Sequence, residues 1–298
     1  MSRRRLPAAL LAAVTLWCTA RAPSMAPAMT AEPKDLLVVG AGVLGRRVAK
    51  LWRQEMPQAK VVAATLTEAH HGELREEGLE PILASDLDKS RRFAQVVFCA
   101  PPSRSSDYGA AVAEALAALA EGGMAVFTSS ASVFAEDSGQ TVDESGALSD
   151  SSSAQRMLSA EAAVAGKGAV LRLAGLYDLD RGPHSYWLKV GVVKGAPAGL
   201  INLVHYDDAA SAVVKALQAK IREVFVVADG QPLSRREICE AAVASKRYGE
   251  KATMPRFEAP AELPMGGANG KRLDAGKARQ QLGWQPRYAS FAEFMAAH

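Results

Sequence analysis

Three glycines at fixed spacing have the clearest chemical meaning in this sequence. Gly40, Gly42 and Gly45 follow a short apolar run, Leu36–Val39, and open an amphipathic run. In a strand–turn–helix context the first glycine permits a tight turn. The second lets a pyrophosphate approach the backbone, and the third lets the helix pack close to the strand. The first helical turn adds free N–H groups and the positive end of a helix dipole. The motif predicts that NAD or NADP binds here, against Gly40, Ala41, Gly42, Val43, Leu44 and Gly45.

The end of the second predicted strand bears on the choice between the two dinucleotides. An acid about twenty residues after the motif would bond the ribose hydroxyls of NAD. Thr65, a further predicted cofactor contact, ends this strand, and no acid comes before Glu68. The missing carboxylate favours the 2′-phosphate of NADP, although no arginine stands at that end either. The nearby His70 and His71 are better explained as a solvated helix start than as a phosphate clamp.

Strands and helices alternate along residues 34–173, which we expect to form an NAD(P)-binding Rossmann domain. This alternation predicts an α/β fold with a doubly wound parallel sheet. The predicted strands are Leu36–Val39, Val61–Leu66, Glu80–Ala84, Gln95–Ala100, Met124–Thr128 and Ala169–Leu173. An alanine-rich helix is predicted from Tyr108 to Ala120, closed by Gly122 and Gly123. After Ala174 the alternation of strands and helices becomes irregular, so residues 174–298 are expected to form a smaller C-terminal substrate lobe.

The composition is typical of a globular chain. Apolar residues make up 49% and charged residues 22%, with a net charge of +3 over 298 residues. These values exclude wholesale disorder, collagen and coiled coil. The body has no basic stripe, so no nucleic-acid partner is predicted. Three widely spaced cysteines exclude a disulfide framework and a cysteine zinc site, and no metal is predicted.

Residues 1–33 are interpreted as a cleavable targeting leader. Arg3, Arg4 and Arg5 precede an apolar run, Leu6–Ala20, and no acid occurs before Glu32. A secretory signal peptide and an organelle transit peptide both have such features, and the two could follow one another. An organelle is the expected destination, with a plastid favoured and the secretory pathway or a mitochondrion as alternatives. No stable membrane span is predicted once the leader is removed.

Five segments in order carry a family resemblance. They are LLVVGAGVLGRRVAKLW, FTSSASVF, VLRLAGLYDLDRG, INLVHYDDAASAVV and KRLDAGKARQQLGWQPRY. Together they resemble the short-chain dehydrogenase/reductase superfamily, in its extended or atypical branch of NAD-dependent epimerase/dehydratase-like proteins. The similarity runs from Lys34 to the C-terminus. The GxGxxG spacing, in place of GxxGxxG, points to the atypical group.

The resemblance implies roles for residues at matching positions. Ser130 would orient a substrate hydroxyl or carbonyl and is the candidate catalytic residue, with Ser132 as a second, substrate-binding hydroxyl. The other implied contacts are Asp86, Ala100 and Pro101 with the cofactor, and Tyr177 and Arg181 with the substrate. The implied substrate is a small carbonyl or hydroxyl compound, with a nucleotide sugar as one candidate. The oligomeric state is left open.

The family's acid–base pair, YxxxK, is missing. Alignment on Glu161 places Ser153 at the tyrosine and Met157 at the lysine. Serine is no general acid or base near neutral pH without an activating partner, and methionine has no charge. Arg156 is next door but stays protonated. Substitutes without a spacing argument are Tyr108, Tyr177, His184 and Tyr186, each better explained by packing. Two hypotheses follow: an oxidoreductase or epimerase-like enzyme, or a non-catalytic NAD(P)-binding sensor or assembly protein.

Three further clusters have both a chemical and a structural interpretation. Asp143–Glu144 could bind a substrate hydroxyl, but a solvated loop or helix cap is favoured. His205 with Asp207 and Asp208 could suggest a metal site, but an aspartate N-cap for the next helix is favoured. Lys271–Arg272 could hold a substrate phosphate, with a surface pair as the default.

Overall fold

The computed structural model describes residues 34–88, 90–258 and 269–298, so the predicted leader lies outside the described residues. In chain order the strands are β1 (Leu36–Val39), β2 (Val61–Thr65), β3 (Glu80–Leu83), β4 (Phe93–Phe98), β5 (Leu119–Ser130), β6 (Ser138–Val142), β7 (Gly168–Leu173), β8 (Gly175–Tyr177), β9 (Val192–Lys194), β10 (Leu200–Ile201), β11 (Leu203–His205), β12 (Val224–Val227), β13 (Leu233–Ser234), β14 (Arg256–Glu258) and β15 (Gly270–Leu273). The helices are α1 (Val43–Glu55), α2 (His71–Glu76), α3 (Tyr108–Leu116), α4 (Ser152–Val164), α5 (Pro183–Val190), α6 (Tyr206–Ala219), α7 (Arg235–Ala244), α8 (Gly276–Leu282) and α9 (Phe291–Ala297).

Seven strands pair in a parallel sheet of order β12-β7-β5-β4-β1-β2-β3. Their apolar runs suit strands that are covered on both faces. Leu36, Leu37 and Val38 of β1, for example, are fully buried. Parallel neighbours need crossover connections, and helices supply most of them. The predicted α/β, Rossmann-type doubly wound sheet is confirmed.

The strand order reverses at β1. The chain first adds β2 and β3 on one side, then returns to place β4, β5, β7 and β12 on the other. In open α/β sheets a crevice forms outside the carboxyl ends of the strands at such a reversal. The residues that follow β1, β4 and β5 therefore meet at one edge of the sheet.

Helix α1 packs against α6, and α3 packs against α4, with both pairs on the central sheet. Leu44, Val48 and Trp52 of α1 are buried. Their spacing of four residues places them along one face of the helix. The indole Nε1 of Trp52 donates to the carbonyl of Lys34 at 3.0 Å, which ties α1 to the residue before β1.

Residues 174–298 contribute to two apolar cores. Strand β12 completes the central sheet beside β7. Tyr177, Phe291 and Phe294 instead belong to a second cluster, with Ile238 of α7. The described residues belong to one compact unit. A separate substrate lobe stays a prediction, and its strand β12 is shared with the Rossmann sheet.

The predicted helix from Tyr108 to Ala120 ends earlier in the structure. Helix α3 stops at Leu116, and β5 begins at Leu119. The backbone N–H of Phe93 donates to the carbonyl of Ala118 at 2.8 Å, so pairing with β4 takes over the end of the alanine-rich stretch. Helix propensity is a weak preference that such tertiary pairing overrides.

Two features of the described residues bear on partners. Each of their helices is too short or too polar to cross a bilayer. Within the same ranges, no three His, Cys, Asp or Glu side chains gather as ligands for a metal ion.

Candidate functional site

Of the three glycines in the turn between β1 and α1, Gly40 and Gly45 have no room for a side chain, and Gly42 faces open space. Gly40 has a φ of +90°, and a Cβ there would lie 2.4 Å from the backbone nitrogen of Ala100. A Cβ on Gly45 would lie 2.4 Å from the carbonyl oxygen of Gly40. A Cβ on Gly42 would meet no atom within 4 Å. The geometry therefore matches the tight turn, the close helix packing and the open approach expected of the three glycines.

The first turn of α1 can receive an anion. Gly42 is the N-cap residue and contributes no side-chain cap, and no acid lies in the first turn. The N–H groups at a helix N-terminus lack intrahelical acceptors and carry the positive end of the dipole. The open space at Gly42 and these amides fit the pyrophosphate of a dinucleotide. Contacts of Ala41, Val43 and Leu44 with it stay predictions.

The end of β2, where an adenosine ribose would lie, has its polar groups engaged within the protein. The Thr65 hydroxyl donates to the carbonyl of Thr67 at 2.9 Å and lies 2.7 Å from Nε2 of His71. The guanidinium of Arg46 donates to Glu73 at 2.8 Å and to Glu77 at 2.7 Å, so it is no free clamp for a 2′-phosphate. The preference for NADP stays a prediction.

The other predicted cofactor residues lie after β3 and β4. Asp86 is exposed and accepts a hydrogen bond from the Ser85 hydroxyl at 2.9 Å. Ala100 touches the glycine turn through its backbone, and its carbonyl accepts from the Tyr108 hydroxyl at 2.6 Å. Pro101 follows and is exposed. Ala100 thus borders the glycine turn at the edge where the strand order reverses, whereas a contact of Pro101 with the cofactor stays a prediction.

Ser130, the candidate catalytic residue, ends β5 at this same edge. The residue is half-buried, and its hydroxyl oxygen accepts from the backbone N–H of Ser132 at 3.1 Å. Ser132 is exposed in the 3-10 turn that follows. An accepted hydrogen bond leaves the Ser130 proton free to donate to a substrate oxygen.

A buried ion pair lies next to Ser130 and is hydrogen-bonded to its neighbour Ser129. Arg172 of β7 and Glu161 of α4 form a two-pronged contact, with Nη2 to Oε2 at 2.8 Å and Nε to Oε1 at 3.1 Å. The hydroxyl of Ser129 donates to the same Oε1 at 2.6 Å. The pair therefore fixes β5, α4 and β7 to one another beside Ser130. Sequence reasoning used Glu161 only as an alignment mark and missed this contact.

The structure supplies no tyrosine–lysine pair at the expected positions on α4. Ser153 is exposed near the start of the helix, and its hydroxyl lies 3.3 Å from that of Ser151. Met157 is buried. The guanidinium of Arg156 donates to the carbonyl of Pro102 at 2.5 Å, so this side chain is a brace between α4 and the end of β4.

Tyr177, an expected substrate contact, lies inside an aromatic cluster, and its contact with a substrate stays a prediction. Its ring is fully buried and packs edge-on against His205, Phe291 and Phe294. Burial raises the pKa of its hydroxyl, which therefore stays protonated. Arg181 is exposed after β8, where a substrate contact stays a prediction.

The clusters at His205 and Asp143 are structural. The N-cap of α6 is His205, whose ring nitrogen accepts from the N–H of Asp207, so the expected aspartate cap is wrong. Asp208 instead accepts from the backbone N–H groups that precede α9, Arg287 and Tyr288. Asp143 accepts from the N–H of Ser145 at 2.8 Å, in agreement with the favoured loop role.

Asp229, which follows β12, is a buried carboxyl that the sequence did not reveal. Its Oδ1 accepts from the N–H of Gln231 at 2.8 Å, and its Oδ2 has no partner among the described residues. Burial raises the pKa of this carboxyl to about 7. The folded chain therefore holds a proton that the unfolded chain releases near pH 4.

We expect Asp229→Asn to stabilise the chain as the pH rises. Below about pH 4 the Asp229 carboxyl is protonated in both the folded and the unfolded wild type, so it does not destabilise the fold. Between about pH 4 and 7 only the unfolded chain releases the proton, so the wild type loses unfolding free energy as the pH rises; above about pH 7 the loss stays constant. The gap in unfolding free energy between variant and wild type should therefore grow by about 2–4 kcal/mol from pH 4.5 to pH 8. Urea unfolding at both pH values measures it. A gap that is constant, or that grows towards low pH, would contradict the assignment.

Comparison with known proteins gives matches at the level of structure. No protein-family profile matches the chain, and no curated protein sequence matches it. A functionally unknown conserved protein from Silicibacter pomeroyi DSS superposes with a TM-score of 0.73 at 21% identity, over 89% of this chain and 97% of that one. The UDP-glucuronic acid 4-epimerase of Bacillus cereus, in complex with NAD, superposes with a TM-score of 0.69 at 18% identity, over 89% and 97%.

A third solved structure is the UDP-glucose 4-epimerase of Thermotoga maritima with UDP-glucose. Its TM-score is 0.68 at 17% identity, over 88% of this chain and 96% of that one. The chain therefore has the fold of NAD-dependent nucleotide-sugar epimerases, over nearly the whole length of these proteins. The fold implied by the five sequence segments is confirmed.

Proposed function

We propose that the chain binds a nicotinamide dinucleotide at the glycine turn and acts as an oxidoreductase or epimerase-like enzyme. The observation that carries this proposal is the open space at Gly42, at the N-terminus of α1 where the strand order reverses. When bound, the nicotinamide would supply a donor or acceptor of hydride. The chain would hold the pyrophosphate through backbone amides and orient a substrate oxygen with Ser130.

The substrate of this proposal is a small carbonyl or hydroxyl compound, with a nucleotide sugar as the finer candidate. The fold likeness supports the finer candidate, because two of the similar structures are enzymes named for UDP-sugars. NADP is proposed over NAD because no acid stands between Thr65 and Glu68. Parallel titrations with NADH and NADPH test that preference.

The second candidate is an NAD(P)-binding sensor or assembly protein without turnover. The observation that favours it is the exposed Ser153 and buried Met157 on α4, where the resembling family has its proton-transferring pair. Under this candidate the dinucleotide binds in the same place, and the chain converts no substrate.

Ser130→Ala separates the two candidates. For the enzyme we expect kcat to fall about a hundredfold, the usual loss when one donor to a reacting oxygen is removed. Dinucleotide affinity should stay unchanged, because Ser130 lies beyond the glycine turn. The measurement combines calorimetric titration of NADH and NADPH with turnover assays over a panel of carbonyl compounds and UDP-sugars. Ser159→Ala, at an exposed serine of α4, is the matched control.

The possible results separate the two candidates or exclude both. Turnover that Ser130→Ala reduces and Ser159→Ala does not supports the enzyme. Tight dinucleotide binding without turnover on any compound of the panel supports the sensor. Absence of dinucleotide binding contradicts both.

A further inference from the structure

A cavity of about 260 Å³ lies outside the glycine turn, where β15, α8 and the residue after Asp229 meet. Arg272 of β15 and Arg279 of α8 both line it, together with Thr141 and Gly230. None of residues 40–45 contributes to its wall. The cavity is therefore distinct from the proposed dinucleotide site.

Strand β15 separates the two basic residues that the sequence places side by side. Successive side chains of a strand point to opposite faces. The ammonium group of Lys271 donates to the carbonyl of Phe134 at 2.9 Å, so it braces the turn after Ser130. Arg272 lines the cavity, and its side chain has no hydrogen bond or ion pair among the described residues. Lys271–Arg272 is thus no simple surface pair.

Arg279 is held in place while most of its donors stay unused. Its Nη2 donates to the carbonyl of Asp229 at 2.8 Å, and its Nε has no acceptor among the described residues. Gly230 has a φ of +88°, and a Cβ there would lie 2.9 Å from that Nη2. Only glycine therefore keeps both this backbone conformation and the room beside the guanidinium.

The charges around the cavity favour an anion. Asp274 also lines it, and its Oδ1 accepts from the backbone N–H of Gly276 at 2.7 Å. Two arginines thus line the cavity together with one carboxylate that is already hydrogen-bonded. A single arginine fork satisfies a carboxylate, whereas two forks on different elements suit the three free oxygens of a tetrahedral phosphate.

We propose that this cavity binds a phosphate group, either free phosphate or a small phosphate monoester. Its volume lies below the range of roughly 300–1,000 Å³ typical of pockets for drug-sized ligands, which fits so small an anion. Arg272 and Arg279 provide the charge, and Gly230 keeps the space. The assignment does not depend on dinucleotide binding.

The test titrates inorganic phosphate, glycerol 3-phosphate and acetate into the full-length chain carrying Gly42→Asp. That background prevents phosphate at the glycine turn from being counted. We expect saturable phosphate binding, tighter than acetate, that Arg272→Gln weakens about tenfold. Arg279→Lys keeps the charge and should weaken it similarly, because the planar fork is lost. Arg222→Gln, which removes the same charge at the opposite end of β12, should change nothing.

The affinities for inorganic phosphate and glycerol 3-phosphate identify the ligand class. Tighter binding of glycerol 3-phosphate indicates a phosphate monoester, and tighter binding of inorganic phosphate indicates the free ion. Equal affinities in Arg272→Gln, Arg279→Lys and Arg222→Gln would overturn the proposal. So would acetate binding as tightly as phosphate, or no saturable phosphate binding. NADH binding by the wild type is measured separately and does not depend on this cavity. The phosphate proposal and the dinucleotide proposal can therefore fail independently.

Discussion

Gly42→Asp is expected to abolish NAD and NADP binding while the chain stays folded. A Cβ at this position meets no atom within 4 Å, so the side chain enters the space proposed for the pyrophosphate. Its carboxylate would repel the phosphates and exclude them. We expect the dissociation constant to rise at least about a hundredfold, which corresponds to about 3 kcal/mol.

Gly42→Asp is expected to leave the stability of the fold unchanged or slightly higher, although it abolishes dinucleotide binding. Aspartate is among the best N-cap residues, because its carboxylate accepts from free N–H groups at the helix start. Unfolding free energy in the absence of nucleotide should therefore stay equal or rise slightly. Gly72→Asp is the matched control, since a Cβ there also meets no atom within 4 Å and the charge change is the same. Calorimetry should show that Gly42→Asp loses dinucleotide binding and that Gly72→Asp keeps it. Equal losses in both variants would contradict the proposed pyrophosphate site at Gly42.

Arg172→Leu is expected to destabilise the fold by about 3–5 kcal/mol, the cost of leaving one member of a buried ion pair unpaired. The pair has side chains only 6% and 9% exposed, so water cannot replace the lost partner at Glu161. The Ser129 hydroxyl that also bonds Glu161 would lose its fixed acceptor geometry. Urea unfolding measures the loss.

Two further variants define the origin of that loss. The double change Arg172→Leu with Glu161→Leu removes both charges and should cost much less than the single change, because the penalty comes from the unpaired carboxylate. Arg256→Leu breaks an exposed pair with Glu258 and should stay within about 1 kcal/mol. A double variant as unstable as the single one would show that lost packing, not charge, is responsible.

The features that sequence predicts well here are those that depend on local pattern. The buried apolar runs and the intervening helical stretches suffice to predict the parallel sheet, because burial on both faces leaves a continuous apolar signal. The glycine turn is equally local. Gly40, Gly42 and Gly45 lie within six residues, and their steric surroundings follow from one strand–turn–helix unit.

The features that sequence misses depend on contacts between distant segments. Asp208 looks like a helix cap from its position, but its carboxylate accepts from the N–H groups of Arg287 and Tyr288, nearly eighty residues away. Tyr177 looks like a substrate contact from the resemblance, yet α9 covers its ring with Phe291 and Phe294. Both cases depend on how residues 287–298 pack against α6 and β8, and no local sequence pattern indicates this packing.

The most direct test of the proposed dinucleotide site is a crystal structure of the chain grown with NADH or NADPH. We predict electron density for a pyrophosphate above Gly42, within hydrogen-bond distance of the first backbone N–H groups of α1. A nucleotide bound elsewhere, or a glycine turn filled by a side chain with no nucleotide at saturating concentration, would contradict the account.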